Sequence, residues 1–279
     1  MRSGRVAFLT GAANGLGREM LLELQRRGVR VVALDVDAET LGKLKGELAP
    51  GSMIVAGDVR DPVAMAEAVK RILSIYGRID MLIVNAGIEC VGTIWETDAE
   101  TFSHVVSVNL LGAYNVISAA LGPILSSRGH VLAMSSVAAF LPWPLAGSYG
   151  ASKAGLEALI RALRFELQGT GVTFSTAYLG FVDTPMARRA LGAPAVKDAL
   201  AQLPLRLLGV MPLQDSATVA RALIDGAEQR QTSIFLPAVA RLTLLLRGLY
   251  SLFDSYFARS VGPIIQSERG FHETTRSRE

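Results

Sequence analysis

The sequence predicts an α/β protein in which helices cover both faces of one doubly wound parallel sheet. Short apolar runs alternate with longer amphipathic stretches along most of the 279 residues, and this alternation is typical of repeated strand–helix units. Half of the chain is hydrophobic while only 6% is aromatic, which suits a core of aliphatic side chains. The length allows one large α/β domain or two small ones.

Each strand is predicted from an apolar run and each helix from an amphipathic stretch. The first strand covers Val6 to Leu9, and further strands are expected at 29–34, 53–56, 81–84, 131–134, 172–179 and 233–236. Helices are expected after the first glycine turn and at 64–75, 99–125, 149–167 and 217–229. Polar residues follow most of the strands directly. Because ligands of such sheets bind beyond the carboxyl ends of the strands, one cleft could gather these residues.

Charge and residue usage exclude several classes of function. The net charge of +3, without clustered lysines and arginines, is too small to indicate nucleic-acid binding. The single cysteine, Cys90, excludes an internal disulfide or a cysteine-rich metal site, and it either lines a pocket or packs unreactively. His104, His130 and His272 show no ligand spacing, so we expect no metal. We expect a cytoplasmic protein, because the N-terminal apolar run is too short for a signal peptide and no uncharged apolar stretch reaches about 18 residues.

A glycine-rich turn, Thr10-Gly-Ala-Ala-Asn-Gly-Leu-Gly17, follows the first strand. Its glycines allow close approach of the backbone, and the free N–H groups of the following helix can face a pyrophosphate. Asp35 ends the second strand roughly 20 residues later, where a carboxylate accepts hydrogen bonds from an adenosine ribose and repels a 2′-phosphate. These features favour NAD over NADP. Asp35 could instead cap a helix that begins near Ala38, which Asp37 could equally do.

The segment Tyr149-Gly-Ala-Ser-Lys153 offers a phenol and an ammonium four residues apart. On a helix this spacing places both side chains on one face. An ammonium beside a phenol favours the phenolate, so we expect the pKa of Tyr149 to fall from about 10 towards neutrality, as acid–base catalysis requires. The same spacing also occurs on solvated helix faces, so the motifs upstream decide between the two interpretations.

The chain resembles the single-domain type of the short-chain dehydrogenase/reductase family over about residues 4–237. The resemblance rests on the turn from Thr10 to Gly17, on Asn85-Ala-Gly87, on Ser136 and on Tyr149-x-x-x-Lys153, in this order and spacing. It implies a Rossmann-like fold and an enzyme that uses a nicotinamide cofactor.

The resemblance also implies four catalytic roles. Tyr149 would give or take the proton at the substrate oxygen, and Ser136 would hydrogen-bond that oxygen. Lys153 would hold the nicotinamide ribose and lower the pKa of Tyr149, while Asn109 would support a proton relay through water to Lys153. Only the spacing of thirteen positions to Tyr149 favours Ser136 over the neighbouring Ser135. Asn109 could instead be structural.

The same resemblance implies which residues bind the cofactor, NAD. Residues 58–59 would lie at the adenine and residues 85–87 beside the adenosine ribose, although Asn85 could be structural. The segment from Leu179 to Pro185 resembles the family's PGxxxTP segment, with a leucine replacing the first proline. Asn14 stands where members that prefer NADP often carry a basic residue, which agrees with NAD. The expected cofactor-binding residues are Gly11, Asn14, Gly15, Leu16, Gly17, Asp35, Asp58, Val59, Asn85, Ala86, Gly87, Tyr149, Lys153, Val182 and Thr184.

The expected organisation is one domain followed by an extension. Residues 1–237 would form the dinucleotide-binding and catalytic domain, with an irregular, proline-broken substrate lid at about 185–214. Residues 238–266 are predicted as an amphipathic helical extension, with an apolar face over 239–257, and residues 267–279 as a polar tail. The extension could pack on its own domain or a partner subunit, cover the pocket mouth, or lie in a membrane interface.

We therefore expect an NAD-dependent oxidoreductase that transfers a hydride between nicotinamide and a secondary alcohol or ketone. The apolar lid, together with Phe140 before Tyr149, favours a lipophilic substrate of steroid, retinoid or acyl type. The resemblance implies a homo-oligomer, a dimer or tetramer. Two alternatives remain. One is a nucleotide-sugar epimerase-like enzyme, which shares Tyr-x-x-x-Lys but spaces its glycine turn differently. The other is a non-catalytic dinucleotide-binding sensor or membrane-attached scaffold.

Overall fold

The computed structural model describes residues 4–141, 144–202, 212–245, 247–248 and 259. Its centre is a seven-stranded sheet in which neighbouring strands are parallel. The strands are β1 (Val6–Thr10), β2 (Arg30–Asp35), β3 (Met53–Ala56), β4 (Met81–Val84), β5 (His130–Ser136), β6 (Thr173–Leu179) and β7 (Ser233–Leu236). Every predicted strand is present, and β5 is longer than predicted because it continues through Ser135 and Ser136.

The strand order is β3-β2-β1-β4-β5-β6-β7. The chain thus reverses its direction of winding between β1 and β4, and in sheets of this kind a crevice forms beyond the carboxyl ends at the reversal. The register pairs Thr10 with Leu34 and Leu9 with Ile83, so the segments after β1, β2 and β4 leave the sheet at one edge. The predicted doubly wound parallel sheet is confirmed.

Helices cover both faces of the sheet. They are α1 (Gly15–Arg26), α2 (Ala38–Lys43), α3 (Pro62–Tyr76), α4 (Ala99–Val106), α5 (Ala113–Ser127), α6 (Gly147–Glu166), α7 (Pro185–Gly192), α8 (Pro194–Gln202), α9 (Ser216–Glu228) and α10 (Ala240–Leu245). A π-helical segment, Ser107–Gly112, joins α4 to α5, and short 3-10 turns cover Leu44–Glu47 and Val137–Ala139.

The ends of α3 show how local chemistry sets a helix boundary. The Asp61 carboxylate accepts hydrogen bonds from the N–H groups of Val63 and Ala64, and Pro62 occupies the first helical position. The helix ends at Gly77, whose φ of 70° is the left-handed conformation that glycine adopts without strain. Aspartates cap α2, α4 and α9 in the same way.

Two apolar layers hold the sheet between its helices. On one face, α1 and α9 bury Met20, Leu24 and Leu223 against the strands. On the other face, α3 and α5 bury Ile72 and Val116, and α6 packs beside them. Burial of such aliphatic side chains is the main favourable contribution to folding, and it fixes the sheet edge that carries the polar residues.

In the predicted lid, prolines stand at the first positions of helices. Pro185 begins α7 and Pro194 begins α8, because proline at the first helical position gives up no intrahelical hydrogen bond. The prediction of an irregular lid is therefore wrong for residues 185–202. Residues 203–211 of the predicted lid lie outside the described part of the chain.

The predicted C-terminal extension is described mainly through α10. Ala240 is fully buried, whereas Leu242 and Leu245 are 54% and 74% exposed. Most of the amphipathic helix predicted over 239–257, and the polar tail over 267–279, lie outside the described residues. Contact of this extension with the domain, a partner subunit or a membrane therefore stays a prediction.

One continuous helical stretch among the described residues, Ala99–Ser127, is long and apolar enough to cross a membrane by length and composition. Core helices of soluble proteins pass the same test. This stretch buries Val116, Ala120 and Ile124 completely within the apolar layer against the sheet. One side of the stretch thus packs against the sheet, while Leu111 and Tyr114 are each 54% exposed.

Candidate active site

A cavity of about 880 Å³ opens beyond the carboxyl ends of the central strands. Every expected site residue lines it except Asn109, which lies just outside its walls. The expected residues in the walls are Gly11, Asn14, Gly15, Leu16, Gly17, Asp35, Asp58, Val59, Asn85, Ala86, Gly87, Ser136, Tyr149, Lys153, Val182 and Thr184. The parallel sheet thus brings together residues that are far apart in the sequence.

The glycine turn forms the wall at the start of α1. Gly11 has a φ of 67°, and a Cβ there would lie 2.8 Å from the Cα of Ala86. A Cβ at Gly17 would overlap the carbonyl oxygen of Gly11, so only glycine lets α1 begin this close to the turn. Asn14 precedes the helix but makes no side-chain hydrogen bond to it. The first N–H groups of α1 are therefore open to an anionic ligand group.

Asp35 ends β2 and points its carboxylate towards the turn. Its Oδ2 accepts a hydrogen bond from the N–H of Ala13 at 2.9 Å, and its Oδ1 accepts one from the N–H of Asp37 at 3.0 Å. The cap of α2 is Asp37, whose carboxylate accepts from the N–H of Thr40 at 3.0 Å. Asp37, and not Asp35, therefore caps α2. The carboxylate of Asp35 keeps free lone pairs that can accept hydrogen bonds from ribose hydroxyl groups.

Asn85 ties the glycine turn to the end of β4. Its Nδ2 donates to the carbonyl oxygens of Thr10 and Gly11 at 3.1 and 2.9 Å. The Thr10 hydroxyl in turn accepts hydrogen bonds from the N–H groups of Asn85 and Ala86 at 3.1 and 3.2 Å. The Nδ2 group of Asn85 therefore holds the glycine turn, and residues 85–87 form part of the cavity wall.

Asp58 and Val59 follow β3 at the far end of the cavity. Arg60 donates to Oδ2 of Asp58 through Nε at 2.8 Å and Nη2 at 2.5 Å, and this pairing holds the pKa of Asp58 below its usual range. Arg60 is therefore a cation that is already neutralised. Val59 is 6% exposed and packs against the position of Gly112, where a Cβ would collide with it.

Asn109 lies on the π-helical segment between α4 and α5 and is 1% exposed. Its Oδ1 accepts a hydrogen bond from the N–H of Ile88, and its Nδ2 donates to the carbonyl oxygen of Ile88, each at 2.8 Å. Nδ2 also donates to Oγ of Ser152 at 2.9 Å. Asn109 therefore fixes the backbone that follows β4 and links it to α6, and π-helical turns are frequent at such functional positions.

Helix α6 carries Tyr149 into the wall of the cavity, which Ser136 also lines. The Ser136 hydroxyl, at the end of β5, donates to the carbonyl oxygen of Leu179 at 3.2 Å. Ser135 is 2% exposed and donates to the carbonyl oxygen of Lys153 at 3.2 Å. Successive side chains of a strand point to opposite sides, so the structure brings Ser136, and not Ser135, to Tyr149.

Lys153 is 4% exposed and reaches the cavity one helical turn after Tyr149. Its Nζ donates to the carbonyl oxygen of Met134 at 2.8 Å and lies 5.6 Å from the centre of the Tyr149 ring. Gly87 leaves room for this ammonium, because a Cβ there would lie 3.4 Å from Nζ and 3.2 Å from Oδ1 of Asn109. Burial lowers the pKa of Lys153 to about 8.

The pKa of Tyr149 differs from the sequence expectation. Burial raises it to about 12, while the hydrogen bond with Ser136 lowers it and the negative charge of Glu89 raises it further. Burial therefore outweighs the neighbouring ammonium of Lys153, whose Nζ donates to the carbonyl oxygen of Met134. The expected fall of the Tyr149 pKa towards neutrality is therefore wrong when only the protein's own side chains act on it.

The segment after β6 closes the cavity opposite the glycine turn. Val182 is 6% exposed and pairs with Gln214 through an isolated bridge. The Thr184 hydroxyl accepts a hydrogen bond from the N–H of Ala187 at 3.2 Å and so caps α7. A Cβ at Gly15 would lie 3.5 Å from the Thr184 side chain. The turn and the start of α7 are therefore the two sides of one cleft.

Besides Arg60, the charged residues Glu89 and Arg189 line the cavity without having been identified from the sequence. Glu89 follows the wall segment after β4, and Arg189 belongs to α7. Burial raises the pKa of Glu89 to about 7, and the positive charge of Arg189 acts in the opposite direction. No motif marks Glu89, and only its place soon after Gly87 could have indicated it. Cys90 lines the cavity as well, which was one of its two alternatives.

These walls suit a dinucleotide with a reacting group beside Tyr149. The turn offers free N–H groups to an anion, Asp35 offers acceptors to a ribose, and Ser136, Tyr149 and Lys153 offer proton-transfer chemistry at one end. Within the described ranges no three His, Cys, Asp or Glu side chains are grouped as metal ligands. The hydroxyl groups of Ser136 and Tyr149 and the ammonium of Lys153 can take part in proton transfer to or from an oxygen atom.

Comparison with known proteins supports this interpretation. A family model described as short chain dehydrogenase matches residues 5–193. The 3-oxoacyl-[acyl-carrier-protein] reductase FabG of Thermotoga maritima is 32% identical over 210 residues, 74% of this chain and 85% of that protein. An uncharacterized NAD-dependent oxidoreductase of Mycobacterium tuberculosis is 33% identical over 201 residues, 66% of this chain and 73% of that protein.

Solved structures show the same fold. The carveol dehydrogenase from Mycobacterium avium, in complex with NAD, has a TM-score of 0.71 at 23% identity, covering 84% of this chain and 96% of that chain. At this identity the likeness shows the fold alone. The family model, by contrast, matches most of the chain and includes the glycine turn and the Tyr149–Lys153 pair. The chain belongs to the short-chain dehydrogenase/reductase family of oxidoreductases.

Proposed function

We propose that this protein is an NAD-dependent oxidoreductase that interconverts a secondary alcohol and a ketone. The observation that carries the proposal is the position of Tyr149, which lines the cavity together with Ser136 and lies beside the buried Lys153, whose Nζ is 5.6 Å from the centre of the Tyr149 ring. A bound nicotinamide would accept or supply the hydride. The protein's own side chains then have to hold the substrate oxygen and move its proton.

Each of these side chains has a distinct task in the proposal. Ser136 holds the substrate oxygen through its hydroxyl, and Tyr149 takes the proton from that oxygen during oxidation or returns it during reduction. Lys153 favours the phenolate of Tyr149 through its positive charge. Asn109 acts as a positioning residue, because its amide fixes the backbone of Ile88 beside the cavity.

The charges at the other end of the cavity favour NAD over NADP. Asp35 and Asp37 both line this end, and a 2′-phosphate placed beside two carboxylates is repelled. Arg60 is the nearby cation that could attract such a phosphate, and it is already paired with Asp58. The relative from Mycobacterium tuberculosis that is described as NAD-dependent supports the same choice.

The remaining cavity walls favour a lipophilic substrate. The side chains around the reacting end are mostly apolar, and burial of apolar substrate surface against them is favourable. The apolar residues there are Val137, Leu141, Leu145, Met186, Leu191 and Val196. A substrate of steroid, retinoid or acyl type would fill such a space, and small polar alcohols would gain little from it.

The test is a titration of the purified protein with NADH and with NADPH, followed by nicotinamide fluorescence. The proposal predicts tighter binding of NADH and oxidation of bulky apolar secondary alcohols in preference to small polar ones. Preference for NADPH would contradict the assignment of NAD. Binding of NADH without turnover of any alcohol or ketone would favour a dinucleotide-binding sensor over an enzyme.

A further inference from the structure

Glu89 is a carboxyl-bearing residue in the wall of the reacting end of the cavity. It follows Ile88, whose N–H and carbonyl groups are both held by Asn109 at 2.8 Å. The backbone that presents Glu89 is therefore fixed. The side chain lines the same cavity as Tyr149 and Ser136, and its charge acts on Tyr149.

The carboxyl group of Glu89 lacks a partner within the described part of the chain. It accepts no hydrogen bond there and forms no ion pair, although it is partly buried. Arg189 of α7 is the one described cation that acts on it, and it does so without forming an ion pair. The carboxyl group is half-buried and open to the cavity. A ligand that fills the cavity displaces the water around it, and a carboxyl group left without a hydrogen-bond donor is unfavourable. A carboxyl group without a protein partner in a substrate cavity therefore suggests that the bound ligand supplies the hydrogen-bond donor.

The surroundings of Glu89 narrow the chemistry of that donor. The neighbouring walls are mostly apolar, so the donor belongs to an otherwise apolar ligand. An anionic ligand group would be repelled by an ionised Glu89, and a cationic one would be repelled by Arg189. A neutral hydroxyl group satisfies both conditions, because it donates to a carboxyl oxygen in either protonation state of the acid.

We propose that Glu89 is a specificity-determining residue that accepts a hydrogen bond from a second hydroxyl group of the substrate, away from the reacting carbon. The preferred substrates are then diols or hydroxyketones on an apolar skeleton. This inference rests on the proposed function, since it places the reacting alcohol or ketone at Tyr149. A substrate that lacks the second hydroxyl leaves Glu89 unpaired, and sites built around a substrate hydroxyl reject such analogues strongly.

The experiment compares matched alcohols that differ only in the second hydroxyl group. Cyclohexanol and the 1,2-, 1,3- and 1,4-cyclohexanediols are oxidised with NAD by the wild type, by Glu89→Leu and by Glu89→Gln. Glu100→Gln is the matched control, because Glu100 is exposed and lies outside the cavity. We expect at least one diol to exceed cyclohexanol by about ten-fold or more in kcat/KM with the wild type.

Glu89→Leu should abolish this preference, measured as the ratio of kcat/KM for the diol to kcat/KM for cyclohexanol, because an effect of the lost charge on Tyr149 is common to both alcohols and cancels in the ratio. Glu89→Gln should keep part of it, because an amide oxygen still accepts a hydrogen bond, and Glu100→Gln should keep all of it. An equal rate for every alcohol with the wild type would overturn the inference. An unchanged preference in Glu89→Leu would also overturn it.

Binding measured without turnover separates this inference from the proposed function. Ligand-observed NMR gives the dissociation constants of the same alcohols for the wild type and for Glu89→Leu. A diol preference that Glu89→Leu removes supports the role of Glu89 even if no alcohol is oxidised, in which case only the proposed function fails. Equal dissociation constants for diols and cyclohexanol, or no binding of any of them, would count against Glu89 as a substrate contact.

Discussion

Asn109 holds Ile88 by both of its backbone polar groups, with two hydrogen bonds of 2.8 Å. A third bond of 2.9 Å joins the same amide to Ser152 on α6. The segment that carries Gly87 and Glu89 is thereby fixed between β4 and the helix of Tyr149. The π-helical turn at Asn109 is thus a support for the cavity wall.

Replacing Asn109 with Ala should destabilise the protein strongly. The substitution leaves the partly buried N–H and carbonyl groups of Ile88 and the buried hydroxyl of Ser152 without the Asn109 amide, so we expect the free energy of unfolding to fall by about 2–4 kcal/mol. Asn115→Ala is the matched control, because its amide donates to the carbonyl groups of Val59 and Arg60 at a more exposed position. Urea denaturation of both variants checks the difference. Equal losses would show that Asn109 has no special structural role.

Gly17→Ala should disrupt the dinucleotide turn. A Cβ at Gly17 would overlap the carbonyl oxygen of Gly11, which is backbone and cannot move aside cheaply. We expect loss of NADH binding and a lower melting temperature. Gly42→Ala is the control, because Gly42 lies in α2 with open space around it, and this change should stabilise the protein by about 0.5–1 kcal/mol. NADH affinity like that of the wild type in Gly17→Ala would refute the account of the turn.

Asp35→Ser should narrow the preference for NADH over NADPH by about ten-fold or more, because it removes the charged acceptor for the ribose and the repulsion of a 2′-phosphate. Asp37→Asn separates this effect from that of general negative charge, since asparagine still caps α2. Fluorescence titrations with both cofactors give the ratio of dissociation constants. If Asp37→Asn changes the ratio of the two dissociation constants and Asp35→Ser does not, Asp35 is not the residue that contacts the ribose.

The buried His130 should make the protein less stable in mild acid. Burial lowers its pKa from 6.5 to about 4, and its side chain is hydrogen-bonded to Thr173 at 2.8 Å. As the pH falls below about 6.5, the unfolded chain binds a proton that the folded protein does not. The free energy of unfolding therefore decreases, by about 3 kcal/mol in total, until the pH reaches about 4.

The measurement for His130 is urea denaturation between pH 4 and 7.5 for the wild type and for His130→Gln. The difference between the two proteins removes the contribution of carboxyl groups that titrate in the same range. The wild type should lose more stability than His130→Gln as the pH falls. His104→Gln, at an exposed position, is the control for the change of a histidine to glutamine. Parallel curves for wild type and His130→Gln would contradict a neutral, buried His130.

Much of the fold and the site follows from local sequence patterns. Apolar runs set the strands, and Asp35 lies at the end of β2 because the polar residue that ends this run also ends the strand. Because the strands are parallel, their carboxyl ends then lie at the same edge of the sheet. The spacing of four residues between Tyr149 and Lys153 places both side chains on one face of α6, and this depends only on helix geometry.

Features that depend on distant contacts could not be predicted in this way. Glu23 looks like an exposed helix residue, yet it is 7% exposed and pairs with Arg26 and Arg27, which lowers its pKa to about 2. Arg27 also pairs with Glu228 of α9, which packs on α1 only in the folded protein. The pKa of Tyr149 was mispredicted for the same reason, because burial outweighs the neighbouring ammonium.

The most direct test of the central claim is to measure two quantities for Tyr149→Phe, the rate of alcohol oxidation and the dissociation constant for NADH. The account predicts that oxidation of secondary alcohols falls by about 10²–10⁴-fold, because the group that exchanges the substrate proton is lost, while the dissociation constant for NADH stays within about two-fold. This result would assign Tyr149 to the chemical step alone. Turnover close to that of the wild type would contradict the assignment of Tyr149 as the acid–base residue.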